Sequence, residues 1–344
     1  MPPSRAPALL LAFTLTLFCA MSWAQTPAPW ERIVAKAKGQ TVYFNAWAGD
    51  EKTNEFIAWA GDELKARHGV NVVHVRLKDT AEAVTRVIAE KTAGRHSDGT
   101  VDLVWINGPN FLAMKEQGLL HGPVTPLLPN MRYVDTTTKR SNVVDFTTPV
   151  QGYAVPWRLA QIVFIYDSAR IRDAQDVPRS AAEMLAWARK NPGRLTHPNP
   201  SNFLGATFLK QMLYELAPDA AVFQQPATDE SFARVTAPLW PWYDALRPLL
   251  WRKGQQFPEN GALLNDAEID ITLSFTPAEA AVSVLSGKLP ESVRTFTLSK
   301  GSIGNTSFVA IPYNSRAKEG AMVLANFLLE RATQARAQDV QQMG

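Results

Sequence analysis

The stretch VPWRLAQIVFIYDSARI, Val155 to Ile171, decides how the chain is divided. It is a nearly unbroken apolar run in mid-chain, with Arg158 near its start and a turn-forming Tyr166-Asp167-Ser168 near its end. Strands in compact domains run to about five or six residues. An extended segment from Val155 to Asp167 is therefore expected to serve more than one sheet.

Upstream of it, strand and helix patterns alternate three times. Thr41–Trp47 (TVYFNAW) is β-branched and aromatic and reads as a buried strand. It runs into a helix capped by Asp50, with apolar positions Phe56, Ile57, Ala60 and Leu64, ending near Gly69. NVVHVRL is the next strand, followed by a helix opened by a capping box of Asp79 and Glu82 and closed by Gly94. VDLVWING and PNFLAMKEQG repeat the pattern, with Pro109 in the first helical turn. Such alternation predicts an α/β region with a mostly parallel sheet, whose ligands sit beyond the carboxyl ends of the strands.

Downstream, SAAEMLAWARKNPG is an amphipathic helix, and RLTHPNPSNFLGATFLKQMLYELAP a short strand, a loop and a helix. EIDITLSFTPAEAAVSVLSGKLP reads as a strand, a loop and a helix starting at Pro277, and VRTFTL as another strand. TSFVAIPYN (Thr306–Asn314) is a second extended crossing, and the sequence from Ser315 to Val340 is one long helix. Two α/β regions joined by two extended segments, 153–167 and 304–314, describe two lobes with a double-stranded hinge. The alternative is one large sheet with two long internal strands.

Residues 1–24 form an expected secretory leader: one charge (Arg5), an apolar run from Ala8 to Ala20, then Ser22 and Ala24 before the cleavage point. The run is shorter than the ~20 residues a membrane span needs, and Phe18 before Cys19 argues against lipid attachment. Cys19 is the only cysteine, so the cleaved form has no disulfide, thiol nucleophile or cysteine metal site. With Arg5 removed, the 35 basic and 32 acidic residues become 34 and 32. That near balance, with no dense basic stretch, excludes nucleic acid as a partner.

The motifs of the common enzyme classes are absent. There is no HExxH, GxSxG, GxxxxGK[ST] or GxGxxG, and His68, His74, His96, His121 and His197 lack metal-ligand spacing. No cofactor and no metal is expected. An exported enzyme whose Ser, His and Asp assemble from distant positions stays open as an alternative, as does a sensory ligand-binding subunit.

TVYFNAWAGD, VDLVWINGPNF, YAVPWRLAQIVFIYDSARI, NPGRLTHPNPSNFLGATFLKQ, SFTPAEAAVSVLSGKLP and TSFVAIPYNSRAKEGAMVLANFLLE, in that order, resemble the bacterial extracellular solute-binding proteins of ABC importers. Within these the chain looks most like a branch described as thiamine-like or spermidine-like. The resemblance implies the type II periplasmic-binding-protein fold, α/β and two-lobed, each lobe a mixed sheet flanked by helices. It implies lobe 1 at 25–155 plus 310–344, lobe 2 at 156–309, and hinge crossings near 153–160 and 304–312. It also implies a periplasmic, monomeric protein that captures a small solute and delivers it to a membrane permease and its ATPase. Relatives of this kind continue past the last helix, whereas this sequence ends in QDVQQMG, so a final segment is expected to be missing.

A cleft needs a few polar groups and several aromatic faces. From the first rim the candidates are Asn45, Trp47, Asp50, Asn107 and Asn110, with Asp50 equally explained as a helix cap. At the crossing they are Tyr153, Trp157 and Arg158; an arginine in an apolar strand must be paired or face a cleft. From the second rim they are Asn202, Phe203 and Thr207 at a helix start, Ser274 and Phe275, and Trp242 and Tyr243. Aromatics with an acid suit a cationic ring or ammonium through cation–π attraction, hence a thiamine-like solute, with a polyamine second. Ferric ion is disfavoured, since the seven tyrosines include no adjacent pair.

Overall fold

The computed structural model describes residues 29–256 and 260–344, so the expected leader lies outside the described residues. The first region runs α1 (Pro29–Ala37), β1 (Thr41–Trp47), α2 (Glu51–His68), β2 (Asn71–Leu77), α3 (Ala81–Thr92), β3 (Leu103–Ile106) and α4 (Gly108–Glu116). A small hairpin, β4 (Val144–Asp145) and β5 (Thr148–Pro149), precedes β6 (Ala154–Gln161) and β7 (Val163–Asp167). Then come α5 (Ala181–Lys190), α6 (Phe203–Leu216), α7 (Asp229–Thr236), α8 (Leu239–Leu246), α9 (Asn260–Asn265), β8 (Ile271–Ser274), α10 (Glu279–Leu285) and β9 (Val293–Phe296). β10 (Gly304–Ala310), α11 (Lys318–Leu328) and α12 (Arg331–Gln338) complete the order.

These strands form two main sheets. The first has the order β2-β1-β3-β10-β6, with β1 parallel to β2 and β3, and β10 antiparallel to β3 and β6. The second is β8-β7-β9, antiparallel throughout, to which Leu195 adds one parallel bridge at Ile271. Each sheet has its own cores. Phe44, Phe56, Val309 and Phe327 pack on one face of the first, Ile106, Phe111 and Phe308 on the other. Phe164, Phe208 and Phe296 fill one side of the second, Ile165 and Leu264 the other.

The mid-chain apolar run is thus two strands, where one continuous strand was expected. β6 belongs whole to the first sheet and β7 to the second; the handover is Ile162, fully buried, whose amide donates to Ile303 O at 2.9 Å. β7 is apolar on successive residues because both its faces are covered. The return lies between β9 and β10. The handovers between the sheets therefore fall at Ile162 and within 297–303.

β6 also carries a β-bulge. Arg158 pairs with Ser307 and Pro156 with Phe308, leaving Trp157 as the extra residue. The strand's alternation of faces is broken there, so Trp157 and Arg158, neighbours in sequence, both reach α2. Trp157 stacks on Phe56 with ring centroids 6.3 Å apart, and Arg158 Nη1 donates to Thr53 Oγ1 at 3.2 Å.

The long C-terminal helix is likewise two helices, because Glu330 has extended backbone (φ −63, ψ 141) and is gripped by both Nη atoms of Arg67 at 2.9 and 2.8 Å.

Candidate functional site

β1 ends in Trp47 and the chain turns at Gly49 into α2. Gly49 is required by contact: a Cβ there would lie 2.2 Å from Trp47 Cζ2, so the indole lies directly on the glycine. This keeps Trp47 41% exposed, edge-on to Trp105 at 6.4 Å. Asp50 caps α2, its Oδ2 accepting from Thr53 N at 2.9 Å and Thr53 Oγ1 at 2.5 Å.

Opposite stands the second sheet. Ile271 and Leu273 of β8 point into its core, and the alternating residues Thr272 and Ser274 point away from it. Between α2 and β8–α10 lies a cavity of about 800 Å³, lined by Trp47, Asp50 and Glu55 on one side and Thr272 and Glu279 on the other. Glu51 and Asp266 add further carboxylates; the lysines are Lys52, paired with Glu55 at 3.0 Å, and Lys288. The lining is acidic.

Glu279 is open to the cavity, yet it is hemmed in by protein. Desolvation pushes its carboxyl up; the Ser274 hydroxyl, which donates to Glu279 Oε2, pulls it down, and the charge of Asp50 pushes it up again. Two carboxylates, at the starts of α2 and α10, thus feel each other across the gap. Arg158 lies behind Asp50. Burial lowers its pKa and Asp50 raises it, and its hydrogen bonds go to Thr53 Oγ1 and, at 2.8 Å, Gly344 O.

A second, shallower cavity of about 320 Å³ lies along the free edge of β6, between Trp157, Arg158 and Leu159 on one side and Asp135, Arg331 and Gln334 on the other. Near it, Asn107 Nδ2 donates to Thr306 O at 3.0 Å, and the Thr306 hydroxyl meets Ser141 and Asn142. Asp145 reaches α4 beside them. Its Oδ2 accepts from Gly108 N at 2.5 Å, while Oδ1 is buried without a partner. Burial pushes its carboxyl up to about 6, against the pull of that amide.

Of the residues singled out from sequence, Trp47 and Asp50 line the large cavity, and Ser274 touches it through Glu279. Trp157 is 2% exposed and packed between Phe56 and Trp105. Asn45 is fully buried in β1, donating to Tyr43 O and accepting from Arg86. Asn110 is half-buried in the first turn of α4, and Tyr153 packs on the core beside Phe308. On the second lobe, Asn202 precedes α6 and Phe203, 54% exposed, meets Phe275 edge-on at 5.0 Å. Thr207 is buried, its hydroxyl bonded to Phe203 O. Trp242 is a core residue whose Nε1 donates to Ala181 O, and the Tyr243 hydroxyl meets His197 Nε2 at 3.1 Å. Burial holds that histidine down to about 4, hence neutral. Glu279 and Thr272 were passed over. The signal for Glu279 was present: an acid three residues after Thr276 is the spacing of a helix start.

Three comparisons bear on this geometry. The family described as bacterial extracellular solute-binding protein matches residues 59–343. Protein YnjB of Escherichia coli (strain K12) is 43% identical over 329 residues, 94% of this chain and 84% of that protein. Among solved structures, the spermidine/putrescine ABC transporter substrate-binding protein PotD of Streptococcus pneumoniae superposes with a TM-score of 0.64 at 13% identity, over 88% of this chain and 82% of PotD. Iron-bound HitA of Pseudomonas aeruginosa gives 0.60 at 16% identity, over 86% and 82%. At these identities the two structures speak for the two-lobed fold alone.

Proposed function

The chain belongs to the bacterial extracellular solute-binding proteins, a family of binding proteins rather than enzymes, and from that premise we propose that it is the solute-capturing subunit of an ABC importer. In this reading a small cation enters between the two sheets, the segments at Ile162 and 297–303 flex, and the closed form docks on a permease served by an ATPase. Hinge closure around a ligand is the established repertoire of two-lobed periplasmic binding proteins. The protein acts as a periplasmic monomer whose leader is removed after Ala24, with lobes that meet at those two handovers.

The observation that carries the reading is the acidic cavity of about 800 Å³ walled by both sheets, with the exposed indole of Trp47 at its edge. An excess of carboxylates in a concave, partly desolvated site favours a positive ligand, and an indole face adds cation–π attraction. A thiamine-like aromatic cation uses both. A polyamine is the second reading, favoured by carboxylates on opposite walls, which suit two separated charges.

Thermal unfolding of the cleaved protein with thiamine, polyamines, amino acids, sugars and ferric citrate tests this. A solute present at a hundred times its Kd, binding only the folded state, adds ~2.7 kcal/mol and raises the midpoint visibly. A shift with thiamine or a polyamine is expected. A shift with sugars or ferric citrate alone would replace the cation by another solute class.

A further inference from the structure

We propose that Asp50 and Glu279 form an opposed carboxylate pair that clamps the positive group of an organic cation between the two lobes, over the hydroxyl of Thr272. This deepens the capture reading and rests on it.

Both acids are held in place by local bonds that leave an oxygen over. Asp50 spends Oδ2 on the amide and hydroxyl of Thr53, and Glu279 spends Oε2 on Ser274. Among the described residues nothing donates to Asp50 Oδ1 or Glu279 Oε1. Like charges facing each other in a desolvated space oppose each other's ionisation, and a cation between them converts that repulsion into two charge-assisted hydrogen bonds.

A separate observation marks the same place. Thr272 lines the cavity, is 2% exposed, and its hydroxyl has no hydrogen-bond partner. Buried hydroxyls are almost always satisfied, so this one is set for an atom the cavity receives. Of the two lysines lining the cavity, Lys52 is engaged by Glu55 and Lys288 makes no hydrogen bond to the Thr272 hydroxyl. Neither serves as the missing partner.

The chemistry selects the class of cation. Among the described residues no three His, Cys, Asp or Glu side chains converge as metal ligands would. Two free carboxylate oxygens and a hydroxyl instead match an ammonium or amidinium group, which brings several N–H donors. Because the acids belong to different lobes, the clamp is complete only when both lobes engage the solute, so recognition and closure are one event.

Isothermal titration of the cleaved protein and of its E279Q variant, with thiamine and spermidine as cationic probes and glucose and citrate as uncharged and anionic ones, tests the clamp. At least one cation is expected to bind, with E279Q weakening it about tenfold or more while its unfolding midpoint does not fall. Equal cation binding by both proteins overturns the clamp and leaves the capture reading standing. So does binding of glucose or citrate with neither cation. Binding of no probe at all removes the capture reading and the clamp with it. A ligand-free measurement supplements the titration. With carbon-13 in the glutamate carboxyls, Asp50→Ser should lower the pH at which Glu279 titrates; an unmoved midpoint overturns the opposed pair.

Discussion

Asp145 rests on the N-terminal amide of α4 with one oxygen satisfied and the other buried without a partner. A carboxyl held at about 6, above its ordinary 3.8, keeps its proton more readily in the folded state than in the unfolded one. Its contribution to stability is therefore fully present below the ordinary range and lost as pH rises through about 6. Asp145→Asn abolishes that dependence. Urea unfolding at pH 4 and pH 7 should show the wild type losing roughly 2 kcal/mol relative to the variant over that interval. Asp50 is the contrasting residue, since it is both cap and charge. Asp50→Ser keeps a good helix cap and deletes the charge that faces both Arg158 and Glu279, so cation affinity should fall in the same titrations.

The bulge in β6 matters more than any one contact the strand makes. It turns Trp157 inward beside Arg158, where the indole is 2% exposed between Phe56 and Trp105. Trp157→Ala should cost about 3–5 kcal/mol in denaturant unfolding, as large-to-small changes in cores do; a loss under 1 kcal/mol would show that the packing counts for little. This is also where the sequence was hardest to read. β1 is legible residue for residue because β-branched and aromatic types mark a covered strand, and α2 because Asp50 and Gly69 punctuate its ends. The break at Glu330 is invisible locally, since its cause is Arg67, 263 positions away. The bulge depends likewise on the register against β10, and no periodicity within Val155–Gln161 records a partner so distant. Among the residues lining the large cavity, Trp47 and Asp50 carry local signals, a strand end and a helix cap. Glu279 gains its meaning only from Asp50 on the other lobe.

For the whole molecule, the proposed closure predicts a change of distance between the lobes, which the sequence makes easy to measure. Cys19 is the only cysteine and belongs to the expected leader, so two introduced cysteines carry labels without background. With Lys65→Cys on α2 and Lys190→Cys at the end of α5, both exposed, the label separation should shorten when a bound cation is present. An unchanged separation on saturation would mean that binding proceeds without closure.

The place of β10 in the first sheet sets the sequence of assembly. It lies between β3 and β6, yet its residues, Gly304–Ala310, leave the ribosome some two hundred positions after Ile106. Until they arrive, β3 and β6 each present a bare edge, and non-local pairing of this kind is slow to form. The strands of the second sheet, Val163 to Phe296, are by contrast one uninterrupted tract of chain. The lobe that begins first is finished last, and a nascent chain passing outward stays incomplete on its leading side until nearly all of it has crossed.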